Sequence, residues 1–374
     1  MKTILILTDF NVFSDFGGGI TSANRNLIIS LKNNFKFINI FFKPCEVLEQ
    51  ENDIPNIYLK YSPFYPQNLI KTINHLKPDY IIINGLFSIK SSIIPIILNY
   101  FLKYKIIISP RGMLKESALK KNYLIKIFFL RILKYLLNNN NTIFHATNNI
   151  EKDEINFFFK NSSTVVVSDT PPKLKTPYQK ILKSENVLRL FYLARIDDIK
   201  NLLFLLNTIK LLREQNDKKY DLVLNIGGEI VDEKYWTKCK RLINDLNNFQ
   251  QININYLGQL NRIQIQKFFF KSHLFFLPTK GENFGYSIIE SLSYSVPVLI
   301  SNNTPFVNLE KLRFGNDLDL NDKHKFVEIL MNYITMNDSI FSRIRRSIYE
   351  NYNKFAFLEK IKLDYIKIFN NKFK

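Results

Sequence analysis

The stretch GENFGYSIIE, residues Gly281–Glu290, restricts the fold more than any other part of the sequence. It follows an apolar segment, His273–Thr279, that is typical of a buried strand, and it opens a short helical pattern that leads into a second apolar segment, Pro297–Ser301. Glu282 and Glu290 therefore bracket a turn between a strand and a helix, with Glu290 about one and a half turns into the helix. Such turns are where open α/β sheets bind their ligands.

The chemistry of this turn suits a phosphorylated sugar. The N-terminus of a helix presents backbone N–H groups and the positive end of the helix dipole, and both favour a phosphate. A carboxylate can only accept hydrogen bonds, whereas a sugar hydroxyl can donate one. Glu282 and Glu290 are therefore candidate ligands for hydroxyl groups.

A second turn between a strand and a helix carries two cations. Arg195 and Lys200 lie in the segment Leu193–Leu202, five positions apart. They can converge on one anion, and phosphate is the natural guest for such a pair. Taken alone, the pair is more typical of a solvated helix start. The acidic turn predicted at the same sheet edge favours the phosphate interpretation.

Three consecutive glycines, Gly17, Gly18 and Gly19, follow the first predicted strand and precede a predicted helix. Glycines permit positive φ angles and the close approach of a ligand to the backbone. The dinucleotide-binding fingerprint needs spaced glycines, and a P-loop ends in Gly-Lys-Ser/Thr, so this loop is neither. A binding loop and a flexible loop both remain open.

Short apolar strands alternate with helical segments along the whole chain, which predicts α/β architecture with parallel sheets covered on both faces. Predicted strands outside the opening stretch are Thr3–Thr8, Phe37–Phe42, Tyr80–Asn84, Lys105–Ser109, Thr142–Ala146, Leu188–Ala194, Tyr220–Gly227 and Ile252–Leu257. Predicted helices are Ile20–Asn33, Gln67–Leu76, Ser91–Leu102, Lys115–Leu137, Leu202–Gln215, Glu233–Phe249, Arg262–Lys271 and Lys323–Met336, followed by helical segments in Ser339–Ile368.

A length of 374 residues favours two domains. The proline-rich stretch near Pro171, Pro172 and Pro177 has no periodicity and predicts a linker. The predicted divisions are an N-terminal domain over 1–168, a linker over 169–186, a C-terminal domain over 187–352 and a terminal helix over 353–374.

The charge balance is strongly basic, with a net charge of +19. Such a charge implies an anionic partner, namely nucleic acid, an acidic membrane surface or a phosphorylated substrate. The alternative is that the abundant Lys, Ile and Asn reflect an AT-rich genome. Cys45 and Cys239 are far apart, and the four histidines show no ligand spacing, so neither a disulfide framework nor a metal site is expected. The apolar N-terminus predicts a buried strand rather than a signal peptide, and the expected location is the cytoplasm.

The segment Lys115–Leu137 mixes large apolar residues with five basic ones, namely Lys120, Lys121, Lys126, Arg131 and Lys134. A basic amphipathic helix of this kind can lie on an anionic bilayer. An ordinary buried helix with a solvated basic stripe is the alternative. The membrane interpretation predicts a peripheral protein on the inner face of the cytoplasmic membrane.

The sequence resembles the retaining nucleotide-sugar glycosyltransferases of the GT-B fold, specifically glycosyltransferase family 4, also described as glycosyl transferases group 1. The motifs that carry the resemblance span most of the chain from position 17 to about 306. They are the Gly17–Gly19 loop, Ser109–Leu114, His145–Thr147 with Glu151, Ala194–Asn201, Tyr235–Trp236, Gly281–Gly285 through Glu290, and Ser301–Phe306.

The resemblance implies two Rossmann-like domains whose parallel sheets face each other across a cleft, with a last helix that crosses back to the first domain. It implies that Arg195 and Lys200 bind the donor diphosphate, that Glu282 contacts the donor sugar and that Glu290 contacts the ribose. The donor-binding turn would also include Asn283, Phe284, Gly285 and Tyr286. It further implies front-face attack, in which the leaving phosphate accepts the proton of the acceptor. The alternative is a double displacement, which needs a carboxylate at the anomeric carbon, and the sequence leaves both mechanisms open.

Arg111 departs from the family pattern, because many relatives carry a histidine at this position. A guanidinium cannot act as a base. A histidine contact to the donor is therefore lost or replaced by a contact with an anion on the donor or acceptor side.

The sequence therefore predicts a hexosyltransferase that uses a UDP- or GDP-sugar, a saccharide or lipid-linked acceptor and no metal cofactor. The expected setting is the synthesis of a bacterial surface polysaccharide, capsule or lipopolysaccharide. One alternative is another GT-B enzyme, such as a nucleotide-sugar epimerase. The other is a basic nucleic-acid-binding protein, but the sequence has neither a recognition-helix motif nor aromatic residues interleaved with basic ones on a strand, so no nucleic-acid partner is expected.

Overall fold

The structure is a computed structural model that describes residues 1–14, 18–44, 54–60, 62, 64–120, 122–137, 140–160, 162–215 and 220–370. The chain divides into two compact units. The first unit combines Met1–Thr170 with Leu358–Lys374, and the second is Pro171–Phe357. Residues 168–184, within which this division falls, contain no helix or strand.

A parallel sheet of seven strands forms the centre of the first unit, within its described residues. The strands are β1 (Thr3–Thr8), β2 (Lys36–Phe41), β3 (Asn56–Tyr58), β4 (Tyr80–Asn84), β5 (Ile106–Ser109), β6 (Thr142–Ala146) and β7 (Ser163–Val166). Their order is β3-β2-β1-β4-β5-β6-β7, so the direction of winding reverses between β1 and β4. The register places Ile4 opposite both Phe37 and Tyr80.

Helices cover both faces of this sheet. They are α1 (Gly18–Leu31), α2 (Tyr65–Leu76), α3 (Ile94–Leu102), α4 (Glu116–Lys120), α5 (Tyr123–Leu137), α6 (Asn149–Phe158) and, from the end of the chain, α14 (Leu358–Phe369). Alternate residues of β1 enter different cores, since Leu5 and Leu7 pack with α2, α3 and α5 while Ile4 and Ile6 pack with α1 and α14. This follows from the two-residue period of a strand.

The second unit repeats the design with a parallel sheet of six strands among its described residues. The strands are β8 (Val187–Leu193), β9 (Asp221–Gly227), β10 (Ile252–Tyr256), β11 (Leu274–Leu277), β12 (Val298–Ser301) and β13 (Gly315–Leu318). The helices are α7 (Leu202–Gln215), α8 (Glu233–Asn247), α9 (Arg262–Phe269), α10 (Tyr286–Ser293), α11 (Leu309–Leu312), α12 (Lys323–Thr335) and α13 (Asp338–Phe355). The strand order β10-β9-β8-β11-β12-β13 reverses between β8 and β11.

The predicted α/β fold with two parallel sheets is confirmed, and β1, β4, β6 and α7 have the predicted bounds. The prediction of one continuous helix over Lys115–Leu137 is wrong. Asn122 adopts a left-handed conformation with φ 60°, and the segment forms two helices, α4 and α5. Asparagine tolerates this conformation better than other residues with a side chain, so the apolar periodicity alone could not reveal the break.

The predicted helix Ser91–Leu102 begins differently from the expectation. Ile89–Ile93 forms a π-helical turn, and α3 then starts at Ile94 with Pro95 in its first turn. None of the helices in the described part of the chain combines the length and apolar character needed to cross a membrane.

Candidate active site

The switch point of the second sheet lies between β8 and β11, which are hydrogen-bonded neighbours. Two loops leave their adjacent carboxyl ends, residues 194–201 after β8 and residues 278–285 after β11. In open parallel sheets, the reversal of strand order creates the crevice where ligands bind. The two turns singled out by their charges are therefore brought to one place by the topology.

An ion pair joins the two loops at this point. The Lys200 Nζ atom lies 2.6 Å from Glu282 Oε1, and only 16% and 11% of the two side chains are exposed. A charge-assisted hydrogen bond of this length is among the stronger polar contacts in proteins. The predicted proximity of Lys200 and Glu282 is thus observed, although the two residues are 82 positions apart.

A second, exposed ion pair joins the same loops, with the cation now on the loop after β11 and the carboxylate on the loop after β8. Lys280 on the later loop lies 2.7 Å from Asp198 on the earlier loop. The backbone N–H of Lys280 also donates to the Ile199 carbonyl at 2.8 Å. Exposed pairs contribute little to stability, about 0–1 kcal/mol, so the backbone bond and the partly buried Lys200–Glu282 pair hold the loops together.

Asp197 links Arg195 to the backbone of Lys200. The Arg195 guanidinium is exposed and its Nη2 atom lies 3.4 Å from Asp197 Oδ2. The other oxygen of Asp197 accepts a hydrogen bond from the backbone N–H of Lys200 at 2.9 Å. One carboxylate therefore fixes the loop that carries both predicted phosphate-binding cations.

The loop after β11 is anchored to the next strand. The Glu282 N–H donates to the Asn303 carbonyl at 3.1 Å. The Ser301 hydroxyl, at the end of β12, donates to the Thr279 carbonyl, and the Thr279 hydroxyl donates to the Ile199 carbonyl at 3.2 Å. These bonds fix the backbone on both sides of Glu282.

Gly285 forms the entry to α10 in a conformation that suits glycine. Its φ of +83° lies in the left-handed region, and a Cβ atom added there would lie 3.0 Å from Phe306 Cε2 and 3.1 Å from Ile288 Cδ1. The Phe284 ring packs 4.6 Å from the Tyr286 ring, centroid to centroid. The first turn of α10 is therefore held closely between aromatic side chains, with its N-terminus beside Glu282.

Glu290 lies four residues after the first residue of α10, slightly more than one turn along it, and its side chain is partly buried. It is close to Tyr352 of α13. Burial raises the pKa of the Tyr352 hydroxyl well above its usual value, and the charge of Glu290 raises it further. Glu290 thus lies within α10, whereas Glu282 lies in the loop before it. The predicted contact of Glu290 with a ribose stays a prediction.

Arg111 belongs to a buried polar network at the carboxyl edge of the first sheet. Its Nη1 atom forms an ion pair with Asp169, and its Nε and Nη2 atoms donate to Asn84 Oδ1 at 3.1 and 3.0 Å. Asn84 in turn donates to Asn24 Oδ1 at 3.1 Å. Arg111 therefore ties the loop after β5 to β4 and to the segment after β7, and its contact with a substrate stays a prediction.

Glu151 lies near Arg111, and both of its carboxylate oxygens accept hydrogen bonds. Its carboxylate accepts from the Gly112 N–H at 2.7 Å and from both the N–H and the hydroxyl of Thr147 at 2.8 Å. Burial opposes ionisation, but these bonds outweigh it and lower the pKa of Glu151. The carboxylate therefore holds the turn after β5 against the start of α6.

His145 at the end of β6 is neutral. Its Nε2 atom lies 2.7 Å from the Val167 carbonyl, which can only accept, so Nε2 carries the proton and Nδ1 accepts from the Ser109 hydroxyl at 2.8 Å. Burial lowers the pKa of His145, and the nearby charge of Arg111 lowers it further. Tyr365 of α14 packs beside it.

The glycine loop is only partly described. Gly17 lies outside the described residues, whereas Gly18 is the first residue of α1, with φ +65°, and Gly19 is the second. Among the described residues, no atom lies within 4 Å of a Cβ atom placed on Gly18, so its backbone conformation rather than crowding favours glycine. Its role as a ligand-binding loop stays a prediction.

Sequence reasoning missed the partners that fix the predicted residues, namely Asp197 in the second unit, and Asn84 and Asp169, which contact Arg111 in the first unit. One local signal was available: Asp197 stands three residues before Lys200, a spacing at which an aspartate accepts a backbone N–H in a turn. The Arg111–Asp169 pair spans 58 positions and left no signal in the sequence. No group of three or more His, Cys, Asp or Glu side chains suited to a metal ion occurs among the described residues.

Comparisons with known proteins agree with this architecture. Residues 176–351, nearly all of the second unit, match the family described as glycosyl transferases group 1. Comparison with curated proteins finds no match by sequence.

Several solved structures share the fold of the whole chain. Sucrose-phosphate synthase from Thermosynechococcus elongatus has a TM-score of 0.72 at 14% identity, covering 99% of this chain and 99% of that chain. Anabaena HepE in complex with UDP-glucose has a TM-score of 0.69 at 13% identity, covering 98% and 100%. WaaG, a glycosyltransferase involved in lipopolysaccharide biosynthesis, has a TM-score of 0.64 at 10% identity, covering 98% and 99%.

These similarities, with the two parallel sheets, identify the fold as GT-B. The match over residues 176–351, together with the fold shared with glycosyltransferases, supports an enzyme that transfers a hexosyl group.

Proposed function

We propose that this enzyme is a retaining hexosyltransferase that moves a sugar from UDP or GDP to a hydroxyl of a saccharide or lipid-linked acceptor. The proposed setting is the cytoplasmic synthesis of a bacterial surface polysaccharide, capsule or lipopolysaccharide. The donor class is supported by the similar Anabaena structure, which contains UDP-glucose, and the setting by the similarity to WaaG.

The observation that carries the proposal is the Lys200–Glu282 ion pair between the loops of the switch point. A donor diphosphate beside the N-terminus of α10 would meet the Lys200 ammonium, the Arg195 guanidinium and the positive end of the helix dipole. Glu282, already aligned by its bond to Lys200, would accept a hydrogen bond from a hydroxyl of the transferred sugar. Glu290, farther along α10, would take the ribose hydroxyls.

In this arrangement the protein contributes chiefly electrostatic stabilisation. As the bond between the anomeric carbon and the phosphate oxygen breaks, negative charge grows on the leaving diphosphate, and fixed cations stabilise that charge. The acceptor oxygen forms the new bond to the anomeric carbon, and its proton passes to the departing phosphate. The two cations and the helix dipole supply the positive charge, so we propose that no metal cofactor is required.

Replacing Lys200 tests the proposal directly. We expect Lys200→Ala and Glu282→Gln each to lower kcat/KM for sugar transfer by about 100-fold or more, because each removes a group that faces the developing charge or the sugar. Lys280→Ala is the matched control: it removes a cation from the adjacent, exposed ion pair and should keep activity within a few-fold. Circular dichroism establishes that all three variants are folded, and full activity of Lys200→Ala would refute the assignment.

The same assay separates the alternatives. Incubation with donor alone should give at most slow hydrolysis, whereas an epimerase would convert the donor sugar into its isomer. The anomeric configuration of the product, read by NMR, decides between retention and inversion. Full activity after dialysis against EDTA is expected, and a loss that Mg²⁺ or Mn²⁺ restores would overturn the proposed independence from metal.

A further inference from the structure

Helix α5 exposes large apolar side chains on the face opposite its buried one. Its buried residues are Leu130, Leu133 and Leu137. Leu124, Phe128 and Tyr135 are 81%, 60% and 73% exposed, and their spacing of four and seven residues places them on one stripe. A helix that is apolar on both faces is buried on both faces in ordinary globular packing. In the described part of the chain, no element covers the outer stripe of α5.

Helix α3 extends this surface. Ile97, Tyr100 and Phe101 share one face by their spacing of three and four residues, and Phe101 is 74% exposed. The rings of Tyr100 and Tyr135 lie 6.1 Å apart, and a hydrogen bond between the two hydroxyl groups raises the pKa of Tyr100. The exposed faces of α3 and α5 therefore form one continuous surface, which we call the α3–α5 face.

Cations flank the α3–α5 face, and acidic residues are missing from both helices. Arg131 and Lys134 of α5 are exposed, and Lys103, at the C-terminal cap of α3, is exposed as well. Glu116 on the neighbouring α4 is paired with Lys120 at 3.3 Å. A surface that contacts both acyl chains and anionic head groups combines exposed Leu and Phe with Arg and Lys, as this face does.

We propose that the α3–α5 face is a docking surface for an anionic lipid bilayer. The apolar side chains enter the boundary between head groups and acyl chains, and the flanking cations attract the negative surface potential. A second copy of the chain fits this face poorly, because a two-fold contact sets the same patch against itself and would bring like charges from Arg131 and Lys134 together. This inference goes beyond the transfer reaction and does not depend on it.

Vesicle sedimentation tests the apolar part of the proposal. We expect the protein to bind vesicles that contain phosphatidylglycerol and to bind pure phosphatidylcholine at least about tenfold more weakly. The double variant Leu124→Ser with Phe128→Ser should lose about tenfold or more of the binding. The control, Ile263→Ser with Ile340→Ser, removes two exposed isoleucines from the second unit and should bind like the unmodified protein.

Two double variants of equal net charge test the electrostatic part of the proposal. Arg131→Glu with Lys134→Glu should reduce binding to anionic vesicles about tenfold or more. Lys238→Glu with Lys240→Glu, at exposed positions on α8, changes the net charge equally and should reduce binding much less. Equal losses in the two pairs would overturn the proposal, because binding would then reflect overall charge alone.

Three further outcomes would also overturn it: absence of vesicle binding, equal binding to neutral vesicles, or a dimer in sedimentation velocity that Phe128→Ser dissociates. The last would assign the face to a second copy of the chain. All measurements are made without a sugar donor. Transfer activity of the Lys200 or Glu282 variants therefore does not bear on this proposal, and absence of vesicle binding would not bear on the proposed transfer reaction.

Discussion

Gly228 shows how a single residue sets the geometry next to the candidate site. It follows β9 with φ +148°, and a Cβ atom added there would lie 1.8 Å from the Ala194 carbonyl oxygen. The Gly228 N–H also donates to the Gly258 carbonyl at 2.8 Å. Any side chain at this position would therefore displace the backbone immediately before Arg195.

We expect Gly228→Ala to lower the free energy of unfolding by about 2 kcal/mol or more, because it combines backbone strain with a steric clash. Urea unfolding measures this loss. Gly281→Ala is the control: in the part of the chain that the structure describes, no atom lies within 4 Å of its Cβ position, and its effect should stay within about 0.5 kcal/mol. Similar losses in the two variants would show that the close approach at Ala194 is not the cause.

The sequence exposed the charged residues of the candidate site but not their partners. Lys200 and Glu282 stood out because each lies in a turn after an apolar strand, and the structure places them in contact. The predicted contact of Arg111 with a substrate stays a prediction, and the structure shows that its guanidinium contacts Asn84 and Asp169. A buried cation needs compensating partners, and residues far along the chain supply them here, so local patterns could not identify them.

At the scale of elements, β8 and β11 are joined at their amino ends by His273. The His273 N–H donates to the Arg189 carbonyl at 2.7 Å, and the Arg189 N–H donates back to His273 Nδ1 at 3.2 Å. Nε2 lies 3.2 Å from the Leu182 carbonyl and therefore carries the proton. Burial, together with the charges of Arg189 and Lys183, lowers the pKa of His273 to about 3.

This pKa predicts a loss of stability in acid. Below the ordinary pKa of about 6.5, His273 binds a proton in the unfolded chain but not in the folded chain. The free energy of unfolding is therefore unaffected by this group above pH 6.5 and falls as the pH drops from 6.5 toward 3. Between pH 7 and pH 5 the loss is about 2 kcal/mol. Urea unfolding at the two pH values should show that His273→Asn removes this part of the loss, whereas His75→Asn, at an exposed site, does not. An unchanged pH dependence in His273→Asn would contradict the assignment.

Strands formed by apolar runs were predictable from the sequence, whereas a strand of polar composition was not. Apolar runs such as Thr3–Thr8 and Tyr80–Asn84 became β1 and β4 with the expected bounds. No sequence pattern predicts β13, because its residues Gly315–Leu318 include Gly, Asn and Asp, types that are depleted in strands. This strand exists because β12 offers it a partner, with Val298 opposite Gly315.

At the scale of the whole molecule, the proposed donor-binding residues all belong to the second unit. A ligand that binds the folded state suppresses local opening where it binds. We therefore expect UDP to protect backbone amides most strongly in peptides that cover residues 194–203 and 279–290, measured by hydrogen–deuterium exchange on the full chain. Uridine lacks the diphosphate and should protect these peptides much less. Protection confined to other segments would contradict the proposed site.

The net charge of +19 is also a property of the whole molecule. By itself it is equally compatible with a nucleic acid, a membrane surface or a phosphorylated substrate. Only its distribution discriminates, and Arg131 and Lys134 lie beside exposed apolar side chains on α5. The distribution therefore favours a lipid surface, which composition alone could not establish.

The sequence by itself determined the α/β class, most of the strands and helices, and the cations and carboxylates of the acidic turn, because strand and helix periodicities and charged turns are local patterns. Only the tertiary structure decided that Lys200 meets Glu282, that Asp197 links Arg195 to the Lys200 backbone, and that Arg111 pairs with Asp169. It also decided that α5 carries an exposed apolar stripe. These facts depend on strand order and packing between distant segments, since burial and pairing arise only when the chain has folded.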